Sequence, residues 1–344
     1  MTGADVRPLV GLMPGDMTGI GPEITAKLLA GGRLREVARV VVIGDARVWE
    51  LGCREAGVQP AWRAHGALEA IDWSRDEIPV LDLGNIDPAA LPRRENSAES
   101  GRLTGETLLH MTRLAQEGKI DAVTFAPLSK AALHAGGWKY PDEHQMFAAW
   151  NAHEGFFGEM NVIDQFSTFR VTSHVSLRRA LDLITPERIG AAVRLADTTL
   201  RERGFEHPRI GVAALNPHCG EGGLFGDEEI RLIAPTVRRL QEEGVAVRGP
   251  VSSDAIFLKA LRGEYDGVVI MYHDQGQIAT KLLGFHKGVT VTAGLRTIYT
   301  TPAHGTAFDI VGQGKAETGA LEQAVRIAAR MAAARRCAGV GGIA

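Results

Sequence analysis

Residues 210–223 read IGVAALNPHCGEGG, a short run of small and branched apolar residues that passes directly into a polar, glycine-rich loop. An amphipathic helix is predicted just after this stretch, over Glu228–Glu243, with Asp227 as its N-cap. The same order, a short apolar strand followed by a longer amphipathic helix, recurs along the chain. This alternation is typical of an α/β protein built around a mostly parallel sheet.

The pattern predicts eight strands and five helices. The strands are Leu9–Met13, Val40–Ile43, Val80–Leu83, Ala122–Ala126, Phe169–Ser173, Ile210–Leu215, Gly267–Met271 and Val289–Thr292. The helices are Pro22–Ala30, Gly105–Gln116, Pro186–Arg203, Glu228–Glu243 and Thr318–Arg335. Most strands are short and apolar enough to be covered on both faces.

Composition narrows the class of protein. With 344 residues, 45% of them hydrophobic, the chain fits two globular domains. A net charge of -3 offers no large positive field, so nucleic acid is not an expected partner. Three cysteines without a C-x-x-C pair indicate reduced thiols, and the sequence shows neither a signal peptide nor a run of about 18–20 apolar residues. We therefore expect a cytoplasmic protein without a membrane anchor.

Three of the predicted strands run directly into a histidine. These residues are His174, His218 and His273. Ligands gather at the carboxyl ends of parallel strands, so three imidazoles there could hold a divalent metal ion with positions left open for substrate. Their wide separation along the chain gives no local motif, and an accidental arrangement stays an alternative. Cys219, beside His218, is better explained as a buried thiol than as a ligand.

Two further stretches could bind an anion or a nucleotide. Residues 15–23, GDMTGIGPE, form a glycine-rich turn between a strand and a helix, although neither a dinucleotide fingerprint nor a Walker lysine is present. Residues 303–314, AHGTAFDIVGQG, form a loop whose small residues let a ligand approach the backbone. A plain tight turn and a plain surface connection are the respective alternatives.

Taken together, GDMTGIGPE, APLSK, VTSH, NPHCGEGG, YHDQG and HGTAFDIVGQGKA resemble the 4-hydroxythreonine-4-phosphate dehydrogenase family of pyridoxal phosphate biosynthesis and its catabolic relatives. The resemblance extends over nearly the whole chain. It implies a two-lobed α/β/α fold like that of isopropylmalate and isocitrate dehydrogenases, not a Rossmann fold. We predict a first lobe of residues 1–130 and 290–344 that carries the cofactor loop, and a second lobe of residues 131–289 with the metal ligands and dimer contacts.

The resemblance also implies roles for individual residues. The metal ligands would be His174, His218 and His273, one of them supplied by the other subunit of a homodimer, with Zn, Mg or Co as the divalent ion. The substrate would face His144, Gln145, Lys281, Thr290 and Tyr299. NAD or NADP would lie along His304, Gly305, Thr306, Ala307 and Asp309. The catalytic residues would be Lys281 and Asp254.

The reaction that the resemblance implies is the oxidation of a secondary alcohol of a small hydroxy acid. The expected substrate is 4-phosphohydroxy-L-threonine, whose 3-keto product would lose carbon dioxide. The metal would act as a Lewis acid on the hydroxyl. Lys281 would act as an acid or carboxylate anchor, or only as a balancing cation, and Asp254 and Asp274 would orient ligand histidines.

Three positions depart from the family pattern. Gln145 stands where threonine is usual, Thr290 where asparagine is usual and Tyr299 where arginine is usual, and the last change removes a bidentate donor to anions. Two alternatives follow from these departures. One is a dehydrogenase of a cis-dihydrodiol or another hydroxy acid, and the other is a non-catalytic protein that binds NAD and metal.

Overall fold

The computed structural model describes residues 6–284 and 287–339. The expectation of an uncleaved, unanchored amino end rests partly on residues 1–5, which lie outside the described residues. The chain divides into two compact units, one of Met1–His153 with Leu295–Ala344 and the other of Glu154–Gly294. Among the helices that the structure describes, none is long and apolar enough to cross a membrane.

The first unit contains six strands and six helices in the described part of the chain. Its strands are β1 (Leu9–Met13), β2 (Arg39–Gly44), β3 (Trp62–His65), β4 (Ile78–Asp82), β5 (Ala122–Phe125) and β12 (Tyr299–Pro302). They lie in the order β3-β4-β2-β1-β5-β12, and each pair of neighbours is parallel. The helices are α1 (Gly21–Ala30), α2 (Ala46–Ala56), α3 (Ala98–Gln116), α4 (Lys130–Ala135), α5 (Glu143–Trp150) and α11 (Gly319–Cys337).

The second unit contains a mixed set of strands. They are β6 (Gly158–Val162), β7 (Ser167–Arg170), β8 (Ile210–Ala213), β9 (Val247–Val251), β10 (Gly267–Ile270) and β11 (Val289–Ala293). Their order is β11-β6-β7-β10-β8-β9, with β6 antiparallel to both neighbours and the remaining pairs parallel. The helices are α6 (Leu177–Leu183), α7 (Pro186–Glu202), α8 (Ala234–Glu242), α9 (Ser253–Leu261) and α10 (His273–Gly284), and Glu229–Ile233 forms a π-helical turn.

The predicted α/β class is confirmed, and each of the eight predicted strands corresponds to a strand of the structure. The boundaries between the two parts are different from the predicted ones. Residues 131–153 belong to the first unit, because the Phe147 ring on α5 packs against Phe125 at 5.7 Å and stacks on Tyr299 at 4.0 Å between centroids. Residues 290–294 belong to the second unit, because β11 pairs along its whole length with β6.

Candidate functional site

The three histidines predicted as metal ligands lie in the second unit, beyond the carboxyl ends of neighbouring parallel strands. The strands β7, β10 and β8 lie side by side. His174 follows β7, His218 follows β8, and His273 is the first residue of α10, just after β10. Main-chain direction alone therefore brings the three segments to one edge of the sheet, as the sequence predicted.

Two of these histidines are close enough to share an ion. The ring centroids of His174 and His273 are 5.6 Å apart, and the rings are inclined by 42°. Two imidazoles that bind one zinc ion at a tetrahedral angle, with Zn–N bonds of about 2.0 Å, have ring centroids about 5 Å apart. The pair thus has the spacing and the donor chemistry for a divalent metal. Within residues 6–284 and 287–339, no group of three or more His, Cys, Asp or Glu is arranged to hold an ion.

The hydrogen bond of His273 suits a ligand. Its Nδ1 lies 2.6 Å from Oδ1 of Asp274. When Nδ1–H donates to this carboxylate, Nε2 is the ring nitrogen that can bind a metal. The start of α10 is also fixed to the ends of β10 and β8. Gln275 accepts from the Met271 N–H at 2.7 Å and donates to the Ala214 carbonyl at 2.7 Å.

His218 occupies an unusual backbone segment. From His218 to Gly223, six consecutive residues have positive φ, so the chain makes a left-handed turn. His174 also has a positive φ of 49°. Side chains with a Cβ are strained in this region, and such strain is concentrated at functional sites. No property of the sequence other than the cluster of glycines signals this turn.

A buried carboxylate holds the chain that leads to His218. Glu229 is 3% exposed, and its Oε1 accepts the backbone N–H groups of Leu215 and Asn216, both at 2.7 Å. Its Oε2 accepts from Asn216 Nδ2 at 2.9 Å. Burial raises the pKa of Glu229, but the hydrogen bonds from Asn216 and Leu215 outweigh it and hold the pKa below its usual value. Glu229 was not predicted as a site residue, because its only signal in the sequence is its place inside a predicted helix.

Asp254 lies at the start of α9, within electrostatic reach of His218. Ser252 Oγ donates to its carboxylate at 2.7 Å. This hydrogen bond is the main cause of the lowered pKa of Asp254, and His218 lowers it further. The role of Asp254 beside a metal ligand remains a prediction. The nearby Cys219 thiol contacts the Pro250 carbonyl at 3.8 Å, and burial raises its pKa.

The other predicted residues of the second unit are Lys281 and Thr290. Lys281 lies on α10, eight residues after His273, so both residues face one side of that helix. Its side chain is exposed. Thr290 is buried on β11, where its hydroxyl donates to Asn161 Oδ1 at 3.2 Å. This bond occupies the hydroxyl proton and leaves its oxygen lone pairs as the groups that could meet a ligand.

His144 and Gln145 lie in the first turn of α5 in the first unit. The N-cap Asp142 accepts from the Gln145 N–H at 2.8 Å, which starts the helix at this residue. His144 is buried and Gln145 is exposed. Beside them, buried Glu143 forms an ion pair with Lys130 at 2.9 Å. This ion pair links the APLSK segment to the start of α5.

Tyr299 is placed differently from the expectation. It is 1% exposed, and its ring stacks on Phe147 with an interplanar angle of 2°. Its hydroxyl donates to Thr112 Oγ1 and accepts from Asn151 Nδ2, both at 2.9 Å. Burial raises the pKa of this phenol. With ring and hydroxyl both engaged in the interior, the structure argues against a direct contact between Tyr299 and the substrate.

The predicted cofactor loop contacts the glycine-rich turn near the amino end. The Ile20 N–H donates to the Thr306 carbonyl at 3.1 Å. A Cβ at Gly19 would lie only 2.8 Å from Thr306 Cβ, so the close approach of the two segments requires glycine there. Ala307 has a positive φ of 44°. The two stretches predicted to bind an anion or a nucleotide, residues 15–23 and 303–314, are therefore in contact within the first unit.

The continuation of this loop is anchored to α1 by charged residues. Lys27 Nζ donates to the carbonyls of Gly314 and Ala316 at 2.7 and 3.0 Å. Glu23 is fully buried, forms an ion pair with Lys27 at 2.8 Å and accepts from the Ala316 N–H at 2.9 Å. Glu23 is the last residue of the GDMTGIGPE stretch and was not predicted to hold the loop. His304 is half-buried, while Gly305 and Asp309 are exposed.

Comparison with known proteins identifies relatives of this chain. A family model described as "Pyridoxal phosphate biosynthetic protein PdxA" matches residues 36–328. "Putative 4-hydroxythreonine-4-phosphate dehydrogenase 2" of Pseudomonas aeruginosa is 47% identical over 331 residues, covering 94% of this chain and 97% of that protein. "D-threonate 4-phosphate dehydrogenase" of Pectobacterium atrosepticum is 38% identical, covering 94% and 99%. The crystal structure of a 4-hydroxythreonine-4-phosphate dehydrogenase from Klebsiella pneumoniae has a TM-score of 0.83 and 39% identity, covering 96% and 99%.

Proposed function

The chain belongs to the family of the pyridoxal phosphate biosynthetic protein PdxA, and we propose that it oxidises the secondary alcohol of a phosphorylated hydroxy acid with NAD or NADP as hydride acceptor. Its relatives are named as dehydrogenases, which supports an oxidoreductase that acts on a CH–OH group. Those names specify two substrates, 4-hydroxythreonine 4-phosphate and D-threonate 4-phosphate. Both carry a carboxylate, a secondary alcohol and a phosphate, which is the substrate class proposed here.

The observation that carries the proposal is the pair formed by His174 and His273, with centroids 5.6 Å apart beyond adjoining parallel strands. Imidazole donors of this spacing fit a divalent ion such as zinc or cobalt. We propose that these two residues, together with His218, are its ligands. A bound ion would supply Lewis acidity toward the substrate hydroxyl. Because the family resemblance implies a homodimer, we propose that one of the three ligands comes from the second copy.

The residues of this chain have separate tasks in the proposed reaction. Asp274 orients the His273 ring through Nδ1, and Asp254 lies near His218 with a lowered pKa that keeps it ionised. Lys281, on the same side of α10 as His273, is placed to bind the substrate carboxylate or to donate a proton. Oxidation of an alcohol β to a carboxylate gives a β-keto acid, and loss of carbon dioxide from that product is the second part of the proposal.

The loop at His304–Asp309 is proposed to bind the nicotinamide cofactor. Three observations support it: the small residues Gly305 and Ala307, the positive φ of Ala307, and the tight contact of Thr306 with the turn at Gly19. Backbone N–H groups exposed by such a contact can bind cofactor phosphates without a lysine. Anchoring by Glu23 and Lys27 keeps this loop in place before the cofactor binds.

Spectroscopic detection of NADH or NADPH tests the proposal directly. The chelated protein is assayed at 340 nm with 4-phosphohydroxy-L-threonine and, separately, with D-threonate 4-phosphate, before and after a divalent metal is restored. The expected result is turnover that requires the metal. Replacement of His174 or His273 by alanine should remove bound metal and lower turnover at least about 100-fold, because a catalytic metal site does not survive loss of a ligand. His207→Ala, an exposed histidine of the same unit, is the matched control.

The alternatives give different results in the same assay. Turnover of a cis-dihydrodiol but of neither phosphorylated acid would show that the protein is a dihydrodiol dehydrogenase of the same family. Binding of NAD without reduction on any of these compounds would indicate a non-catalytic protein. If His174→Ala and His273→Ala retained metal and activity to the same extent as His207→Ala, the assignment of His174 and His273 as metal ligands would be wrong.

A further inference from the structure

Arg170, the last residue of β7, is a buried charge. Its side chain is 1% exposed and forms an ion pair with Glu159 on the neighbouring strand β6. Taking an ionised guanidinium out of water is costly, so such a residue needs hydrogen-bond partners. In Arg170 these partners are on Nη1 and Nη2, whereas Nε has none among the described residues. An ion pair with Glu159 alone would use one part of the guanidinium. The remaining contacts show where the rest of it is directed.

Those contacts reach the two segments that carry His174 and His273. Arg170 Nη1 also donates to Ser173 Oγ at 3.3 Å, and Ser173 directly precedes His174. Arg170 Nη2 donates to Gln277 Oε1 at 2.7 Å. Gln277 lies on α10 four residues after His273 and four before Lys281, so these three residues share one side of the helix. A single guanidinium therefore connects β6, the turn before His174 and the middle of α10.

We infer that Arg170 is a positioning residue that sets the distance between the His174 and His273 side chains and the direction of Lys281; this inference rests on the proposed function. The bond to Gln277 fixes the rotation of α10 about its own axis, because it holds the residue midway between His273 and Lys281. The bond to Ser173 fixes the strained backbone that presents His174. In this role Arg170 acts through Ser173 and Gln277.

Only arginine satisfies this arrangement. Its planar fork presents donors in fixed directions to acceptors on three segments, whereas a lysine ammonium is a compact charge that would stay with Glu159. Arg170→Lys therefore keeps the charge but loses the connection to α10. Gln277→Leu removes the acceptor from the helix side and leaves the ion pair intact. The two variants should share one phenotype if the bond between Arg170 and Gln277 is what positions α10.

Arg203→Lys is the matched control. Arg203 follows α7 in the same unit, and its guanidinium donates to Ser167 Oγ at the opposite end of β7. It also lies over the Phe205 ring at 5.6 Å. Its replacement removes a partly buried arginine without touching the segments of His174 or α10. Effects shared by all three variants are general losses of stability, and effects confined to Arg170→Lys and Gln277→Leu are positional.

Two measurements on the full chain separate this inference from the proposed function. The first is amide hydrogen exchange in metal-free protein, where Arg170→Lys and Gln277→Leu should speed exchange in residues 273–284 relative to Arg203→Lys. The second is Co²⁺ affinity by titration, which should fall about 10-fold or more in the same two variants, as for loss of an outer-shell partner. With metal saturating, kcat for the proposed substrate should fall while KM for the cofactor stays unchanged.

Unchanged exchange in α10, or a Co²⁺ affinity equal to that of Arg203→Lys, would overturn the role of Arg170. Failure of the unsubstituted protein to bind Co²⁺ would instead refute the proposed metal site. In that event faster exchange in α10 would still support the tether between Arg170 and Gln277, and unchanged exchange would overturn it as well.

Discussion

Glu229→Gln should destabilise the second unit at neutral pH and much less at acidic pH. The carboxylate accepts three hydrogen bonds, two from backbone N–H groups of Leu215 and Asn216 and one from the Asn216 side chain. Glutamine can keep the first two as neutral bonds through its oxygen. Its amide nitrogen then faces the Asn216 Nδ2 donor, so the third bond is lost and a donor is left without its acceptor.

The size of the effect follows from these contacts. A hydrogen bond to a charged group contributes about 1.5–3 kcal/mol, and the two bonds that remain become weaker because the charge is gone. With Glu229 only 3% exposed, little solvent is available to compensate. We therefore expect a loss of about 2–4 kcal/mol in the free energy of unfolding at pH 7. Glu228→Gln, a half-exposed neighbour that accepts one bond from Asn216, should cost about 1 kcal/mol or less.

The pH dependence has a defined sign. The pKa of Glu229 in the folded protein lies below its usual value of 4.5. Its contribution to stability is therefore complete above the unfolded-state pKa and is lost as the pH falls through the lower, folded-state pKa. The difference between the unsubstituted protein and Glu229→Gln should be constant from about pH 6 to 8 and should shrink below about pH 4.5.

The choice of probe matters in urea unfolding experiments. All five tryptophans lie in the first unit, namely Trp49, Trp62, Trp73, Trp138 and Trp150. Circular dichroism sees both units, so the shift for Glu229→Gln is measured by that signal, and tryptophan fluorescence serves as the record of the first unit. An equal loss of stability at pH 4 and pH 7, or a loss no larger than that of Glu228→Gln, would refute the reasoning about the buried carboxylate.

Three further predictions concern single positions. Tyr299→Phe keeps the stacked ring and loses two hydrogen bonds, so it should lower the free energy of unfolding, followed by tryptophan fluorescence, by about 1–2 kcal/mol. It should leave kcat and KM unchanged, and a large rise in KM for the substrate would show that Tyr299 contacts the substrate. Glu221 is exposed with a φ of 43°, so Glu221→Gly should be more stable in urea than Glu221→Ala by about 1 kcal/mol, and equal midpoints would contradict the left-handed turn. Asp274→Asn should weaken Co²⁺ binding about 10-fold by releasing the His273 ring, whereas unchanged affinity would show that Asp274 does not orient it.

The sequence predicted eight of the twelve strands in the described residues, but not β3, β6, β9 or β12. Apolar runs such as Ile210–Leu215 are explicit in the residue pattern, and the parallel arrangement then brings His174, His218 and His273 to one edge of the sheet. The motif beginning at His304 was also identified, because its small residues are adjacent in the chain. These features depend on local composition and on one rule of topology.

The features that were missed depend on contacts between distant residues. The boundary near residue 130 was placed too early because the packing of Phe147 on Phe125 and Tyr299 joins segments far apart in the chain. The same contact buried Tyr299, which comparison with a family motif had assigned to the substrate. Nothing in the sequence around Tyr299 distinguishes a buried tyrosine from one that faces a ligand, because β-strands present both kinds of position.

Buried charges explain why the strand-end residues can be strained and still well placed. Two of the three predicted ligand segments are held from an adjoining element by a charged side chain: the segment before His218 by Glu229, and that before His174 by Arg170. The loop after His304 is held in the same way by Glu23. A charged group forms several strong hydrogen bonds at once, so it can hold a backbone in a positive-φ conformation that apolar packing alone would release. The geometry of the site depends on such residues, and substitutions there should alter metal affinity and stability together.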